Sequence, residues 1–303
     1  MSVMSRDTWE VWREQLWSRF VRLESTSSDD GFFGHVSAAV PDSCRLSTVH
    51  STTQVTERTA AHLRRDPQDY VLFALQIEGH GFIEQDGRQA RLETGDFGCY
   101  ITDRPYRLAF DSPFRQIILR LPRDRLAERL PCLSQVTARR FDGRAKAGML
   151  ATGFIHQMVE NGADLTDTIL RDMETATAQM FATAIQQSIE GPGDAQIQRL
   201  DRVKRRLRAQ LRDPELDLGD IATAEAMSLR TLQRLFQTEG LSPSQWVAEQ
   251  RLTRVAGNLR DPAHAKRSVT DIALSWGFGD LSHFSRAFRQ RFGTSARAWR
   301  SGN

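Results

Sequence analysis

Cysteine is scarce in this chain of 303 residues, and the three present, Cys44, Cys99 and Cys132, lie far apart and outside any C-x-x-C arrangement. An odd, dispersed set excludes a disulfide framework and a clustered thiolate zinc site, and predicts reduced, mostly buried thiols. A thiol sensor is the other reading, but no His or basic cluster adjoins them to lower a thiol pKa. Long hydrophobic runs are lacking too: no window approaches the roughly 18 uninterrupted apolar residues that a spanning helix needs. The opening MSVMSRDTWEVWREQLW holds Asp7, Glu10 and Glu14 and no apolar signal core. Neither secretion nor membrane spanning is expected, and the expected compartment is cytoplasmic.

Histidine is sparse too, seven in all, four of them in the first half. His35, His50, His62 and His80 stand singly, with no His-x-His pair, whereas a metal-dependent enzyme needs imidazoles and a carboxylate converging on one ion. Each is read as a surface residue or a hydrogen-bonded core residue. There is no Gly-x-Ser-x-Gly elbow, no Walker loop and no G-x-G-x-x-G after a strand. The chain is read as a non-enzyme with no metal and no cofactor.

What is present is concentrated near the end. In DIALSWGFGDLSHFSRAFRQRF, Asp271 to Phe292, a first short helix is opened by Ser268 with an acid three positions on, a capping box. Gly277 turns the chain, and Asp280 caps a second helix. Its Phe284, Phe288 and Phe292, with Ala287, must face inward, leaving Ser282, Ser285, Arg286 and Arg289 on the other side. Short polar groups and guanidiniums on a helix following such a turn are what base edges and phosphates require.

The pattern occurs once before. Ile221-Ala222 precedes Ile272-Ala273 by 51 residues, and Leu232 and Phe236 precede Phe284 and Phe288 by 52; the extra residue falls in the turn, Ala226-Met227-Ser228 against Gly277-Phe278-Gly279-Asp280. Between the units, Ser242-Pro243-Ser244-Gln245 is a capping box with proline at the first helical position. It launches a helix to about Leu259 with Ala248, Leu252, Val255 and Leu259 on one stripe. Such a helix is roughly 25 Å long. With its ends added it would hold two recognition helices about 34 Å apart, one turn of B-DNA.

Charge divides the chain. Residues 197–303 carry 19 Lys+Arg against 11 Asp+Glu, net +8, and the remainder 22 against 27, net −5. The basic surplus belongs to one part, as phosphate neutralisation requires. The run Lys204-Arg205-Arg206-Leu207-Arg208, taken alone, is read as a solvated helix face.

At 40% hydrophobic and 26% charged residues the chain can build two cores. In its first half Trp9, Trp12, Leu16 and Phe20 recur at helical spacing and predict an amphipathic helix packed on a sheet. Strands follow: Tyr70 to Ile77, apolar on both faces; Phe82 to Gln85 and Arg88 to Leu92 around the hairpin signal Asp86-Gly87; Phe97 to Ile101; Tyr106 to Phe110; and Phe114 to Leu121. This spacing indicates a β-sandwich or small barrel. Two helices are expected over 144–160 and 165–190, broken at Asn161-Gly162. On the second, Ile169, Met173, Ala176, Met180 and Ala184 form a stripe that either covers the barrel or meets another subunit. Gly191-Pro192-Gly193-Asp194 reads as a linker.

From Ile197 to Arg300 the sequence resembles the DNA-binding domain of the AraC/XylS family of bacterial transcription regulators. GFGDLSHFSRAFRQRFG, MSLRTLQRLFQTEGLSPSQW and Arg251-Leu252 sit at the family's relative spacing. Two positions depart: Ala226 stands where glycine is usual, and Ala296 where proline commonly follows Ser295. The first half resembles the family's cupin-like, AraC-binding-like sensor domain in its Leu92-Glu93-Thr94-Gly95-Asp96 turn and the run Phe114 to Arg123.

The resemblance implies an α+β fold in three parts. Residues 1–190 are a cupin-like β-barrel or sandwich with flanking helices that senses an effector and pairs subunits, and 191–196 are a linker. Residues 197–303 are an all-α domain of two helix-turn-helix units joined by a linker helix. It implies a sequence-specific regulator, an effector-responsive activator, with promoter double-stranded DNA, an unknown small-molecule effector, RNA polymerase and a second copy as partners. The family pattern places base-facing residues at Arg230, Gln233 and Arg234 in the first unit and Leu281, Ser282, Ser285 and Arg286 in the second. Arg289 and Arg291 are as readily phosphate contacts. Two alternatives stand beside this: a cupin-type metal-dependent enzyme fused to a DNA-binding domain, and a DNA alkyl-repair regulator.

Overall fold

The computed structural model describes residues 6–38, 45–126, 129–189, 194–237 and 240–301. Cys44 and the expected linker residues Gly191 to Gly193 lie outside them. Contacts divide the chain into Met1–Asp194 and Ala195–Asn303.

The first unit begins with helix α1 (Arg6–Arg19) and continues in ten strands and short helices: β1 (Glu24–Thr26), β2 (Gly34–Ala38), β3 (Leu46–Ser51), β4 (Gln54–Arg58), α2 (Ala60–Arg65), β5 (Tyr70–Glu78), β6 (His80–Gln85), β7 (Arg88–Glu93), β8 (Phe97–Ile101), β9 (Tyr106–Phe110) and β10 (Phe114–Pro122). Three helices close it: α3 (Leu133–Val136), α4 (Lys146–Asn161) and α5 (Asp167–Ser188). Two five-stranded antiparallel sheets result, ordered β1-β4-β9-β6-β7 and β2-β3-β10-β5-β8. The β6–β7 hairpin pairs Gln85 with Arg88, and both loop residues have positive φ, Asp86 at 53° and Gly87 at 72°. That is the primed turn an Asp-Gly pair favours.

The apolar run of β5 reflects burial on both faces. Leu72 and Ala74 join the core between the sheets, while Phe73 turns outward and stacks on Phe181 of α5 at 5.0 Å. Phe97 of β8 meets the same ring edge-on at 4.8 Å. Helix α1 adds Trp12, Leu16 and Phe20 to the inter-sheet core, with Trp9 stacked on Phe32 at 4.3 Å. The Trp12 indole N–H donates to Gln54 Oε1 at 3.0 Å, which satisfies two buried polar groups together.

The four strands before β5 were missed by periodicity: β1 has no buried position, β2 has only Val36, and in β3 and β4 most buried positions are polar. Ser47, Ser51, Gln54, Thr56 and Arg58 are all buried. The Arg58 guanidinium donates to the carbonyls of Thr102 (2.9 Å), Arg22 (2.5 Å) and Asp66 (2.5 Å). Of the two readings of the α5 stripe, covering the barrel does not hold: Leu170, Thr177, Ala178, Phe181 and Ile185 are buried, whereas Ile169 is 46% exposed and Ala176 is exposed. Of the expected stripe, Ala184 alone is fully buried.

The second unit is helical: α6 (Ala195–Ala209), α7 (Leu218–Ala224), α8 (Leu229–Gln237), α9 (Pro243–Arg260), α10 (Val269–Ser275), α11 (Leu281–Phe292) and α12 (Ala296–Ser301). It has two cores. Helices α6, α7 and α8 close on Trp246 and Val247 at the start of α9; α10, α11 and α12 close on Leu252, Val255, Ala256 and Leu259 at its end. The basic run on α6 is not a uniformly solvated face. Arg205 and Arg206 are exposed and pair with Asp201 (2.5 Å) and Glu225 (2.8 Å). Lys204 is buried, 5.7 Å from the centre of the Trp246 ring, which Arg208 also covers at 5.0 Å. Ala296 is the first residue of α12, where the Ser295 hydroxyl accepts the Ala298 N–H, so proline is dispensable there.

Ala226 adopts φ 51°, the left-handed region that costs an L-residue roughly 1–2 kcal/mol. Ala226→Gly should therefore raise stability by about 0.5–1 kcal/mol, net of the greater freedom of glycine in the unfolded chain. The urea midpoint reads this; an unchanged or lowered midpoint would contradict the strain.

Candidate nucleic-acid interface

Both short first helices end the same way. In α7 the Met227 N–H returns to the Ala222 carbonyl (3.0 Å) and the Ala226 N–H to Thr223 (3.0 Å); in α10 Phe278 returns to Ala273 (3.3 Å) and Gly277 to Leu274 (3.0 Å). With Ala226 at φ 51° and Gly277 at 79°, each is a Schellman turn, which satisfies the last carbonyls and reverses the chain. The following helix is then capped. The Ser228 hydroxyl accepts the Thr231 N–H at 3.2 Å, and Asp280 Oδ1 accepts Ser282 N–H (2.7 Å) and His283 N–H (3.0 Å). Ser268 and Asp271 form the expected capping box of α10, and Ser242 and Gln245 that of α9.

These turns give α8 and α11 one buried and one open side. Leu232, Leu235 and Phe236 of α8 and Phe284 and Phe288 of α11 are buried; Trp276 packs against both cores. Arg230, Gln233 and Arg234 lie exposed on α8, and Leu281, Ser282, Ser285, Arg286 and Arg289 on α11. The Ser285 hydroxyl donates to its own helix at Leu281 O, 2.8 Å. No ion pair holds Arg230, Arg234, Arg286 or Arg289 among the described residues. Arg291 differs: it pairs with Glu249 of α9.

Sequence reasoning missed two contributors. An open groove of about 720 Å³ runs along α11 and takes in Thr270 and Arg297 from the starts of α10 and α12. A second, of about 640 Å³, flanks Arg234 and takes in Gln196 and Arg199 of α6. Arg199 and Arg297 lie outside the helix-turn-helix repeats, so only the charge surplus pointed to them.

The scattered histidines are partly brought together. His35 and His50 are cross-strand partners on exposed positions, His62 bonds the Thr59 hydroxyl at 3.0 Å, and His80 meets Asp111 at 2.6 Å. Among the described residues no group of three or more His, Cys, Asp or Glu could hold a metal ion, and no helix is long and apolar enough to cross a membrane. Cys99 and Cys132 are buried, and burial pushes the Cys99 thiol up to about 12 against the smaller opposing pull of Arg88.

Two capped helix-turn-helix units with open basic faces, on one rigidly shared helix, define a DNA-binding transcription regulator. Residues 12–186 match the family profile of the AraC-binding-like domain, and 221–302 that of a helix-turn-helix domain. The chain is 31% identical over 260 residues to the transcriptional activator NphR of Rhodococcus sp, covering 84% of this chain and 77% of that protein. It is 43% identical over 89 residues to the transcriptional activator RhaS of Klebsiella pneumoniae (strain 342), which covers 29% of this chain and 31% of RhaS. The crystal structure of the AraC-like transcriptional activator CuxR shares the fold at 20% identity, with a TM-score of 0.51 over 82% of this chain and 91% of that one. The chain belongs to the AraC/XylS family of transcription regulators.

The backbone N–H groups of His283 and then Ser282 hold the Asp280 carboxyl below its ordinary value of 3.8. A depressed carboxylate contributes stability that is present above the unfolded value and lost as pH falls through the folded one. Asp280→Asn, which keeps the cap and removes the titration, should therefore show a smaller drop in urea midpoint between about pH 5.5 and pH 3 than the unaltered protein. Equal drops would refute the linkage.

Proposed function

We propose that this chain is an effector-responsive, cytoplasmic activator in which both recognition helices read bases. Arg230 and Arg234 of α8 and Arg286 of α11 suit guanine O6/N7, Gln233 suits adenine, and Leu281 suits a thymine methyl, with Ser282 and Ser285 adding hydroxyls. The observation that carries this reading is the exposure of these arginines, with no ion pair among the described residues, on two helices that enter through the same Schellman turn. Arg289 and Arg297 suit flanking phosphates. In this reading residues 1–190 hold the effector, the link ends where α6 begins at Ala195, and the helices from α6 onward bind the promoter where RNA polymerase is engaged. The names of NphR and RhaS as activators support activation over repression.

Arg234→Ala and Arg286→Ala should each lose roughly 1 to 3 kcal/mol on the cognate site and relax base preference at two positions about one helical turn apart. Leu281 and Ser282 discriminate less than Arg230 and Gln233, so Arg234→Ala should damage specificity more. Binding-site selection decides: an unchanged consensus in both variants, with affinity merely lowered, reassigns these arginines to phosphate.

The same reading makes the protein a homodimer through α4 and α5. Met149 (56%) and Leu150 (63%) are exposed near the start of α4 and Ile169 (46%) in the first turn of α5, large apolar side chains that a second copy would cover. Leu150→Glu and Ile169→Glu should each yield a folded monomer by sedimentation; variants that remain dimeric, or an unaltered protein that is monomeric, would move the interface elsewhere or remove it.

A further inference from the structure

Helix α9 belongs to both cores, and the change of allegiance falls between Val247 and Leu252. Arg251 stands at that point. Its guanidinium donates in two directions: Nε to the Leu211 carbonyl (2.9 Å) and Nη2 to the Asp213 carbonyl (2.5 Å), in the segment between α6 and α7, and Nη1 to the Gly277 carbonyl (2.8 Å), in the turn between α10 and α11. One planar group thus ties the first helix-turn-helix unit to the turn that aims the second recognition helix. Gly277 leaves it room: a Cβ there would stand 2.7 Å from Arg251 Nη2 and 2.8 Å from the Leu211 carbonyl. The next residue back, Trp276, touches both cores and is fixed by its indole N–H to Asn258 Oδ1 at 2.6 Å.

We infer that Arg251 is a positioning residue for DNA binding, which locks the angle between α8 and α11 and so sets the base-pair spacing this regulator accepts between the two elements of its site. The inference rests on both recognition helices reading bases. One base pair moves the second element by about 3.4 Å and rotates it by roughly 34 to 36°. A locked pair of helices cannot follow that movement, whereas a pair joined by α9 alone can swivel. Lysine cannot substitute, because a single ammonium presents its donors at one point and does not span carbonyls on two sides.

The test uses the full chain and DNA obtained by binding-site selection on it. The unaltered protein should select two elements at one spacing and lose about tenfold in affinity when one base pair is inserted or deleted between them. Arg251→Lys and Arg251→Met should bind the optimal spacing several-fold more weakly, while the penalty for the altered spacing shrinks below about threefold and the base preferences within each element stay the same. Arg251→Lys keeps the charge and aliphatic stem, so it carries the test if Arg251→Met fails to fold. Folded variants that retain the full tenfold spacing penalty, with affinity lowered equally on every site, overturn the inference and leave two-helix readout standing. Selection of a single element by the unaltered protein overturns two-helix readout and this inference together.

Discussion

The DNA-binding unit depends on one helix being shared by two hydrophobic cores. Each set of helices completes its core on α9: α6, α7 and α8 close on Trp246 and Val247, with Trp276 packed against them, and α10, α11 and α12 on the later turns of α9. Because α9 is continuous from Pro243 to Arg260, capped by Ser242 and Gln245, folding either core orders part of the other. The separation of the recognition helices then follows from helix rise, and their relative rotation from contacts across the junction, Arg251 and Trp276. Both junction residues donate to acceptors supplied by the other elements, so the geometry is fixed by directional bonds as well as by packing.

The sensor unit solves a different problem with the same economy. Its second sheet is the middle of three layers, with the inter-sheet core on one side and α5 on the other, which is why β5 and β8 are apolar at nearly every position. The first sheet has only one covered face, and its strands alternate accordingly, as in β6 and β9. Between the sheets the polar groups are satisfied internally: Trp12 by Gln54, Gln116 by Gln76 at 2.7 Å, and Gln85 by both backbone groups of Ile101. Burial of such groups without partners would cost about 1–3 kcal/mol each.

These facts explain what could be read from the sequence. The six strands from Tyr70 onward declare themselves through apolar runs, clean alternation and the Asp86-Gly87 turn. Strands β1 to β4 do not: β1 and β2 bury at most one residue each, and on β3 and β4 Ser47, Ser51, Gln54, Thr56 and Arg58 take most of the buried positions where periodicity looks for Leu and Val. On α5 the stripe of large apolar residues does not mark the covered side: Thr177, Ala178 and Glu174 are buried, while Ile169 faces out, since that side is decided by where Phe181 meets Phe73 and Phe97. Helix caps and the repeat were legible because they are local and specified by residue type at fixed offsets. The reach of Arg251 was not: its acceptors are backbone carbonyls 40, 38 and 26 positions away, and carbonyls carry no residue signature.

Net charge overstates the DNA face for the same reason. Of the cations in the second unit, Arg208, Arg212 and Arg260 lie over Trp246, Trp276 and Trp299 at 5.0, 4.7 and 3.6 Å. Arg202 and Arg206 share Glu225, and Arg205 and Arg291 have carboxylates of their own. Arg251 and Arg300 are committed to carbonyls. Guanidiniums suit all these uses because they are planar, weakly hydrated and rich in donors. Among the described residues, what remains open on the recognition helices is Arg230, Arg234, Arg286 and Arg289. The surplus of +8 is therefore the sum of two populations, one building the domain and one left outside it, and only the second is available to exchange counterions for phosphates.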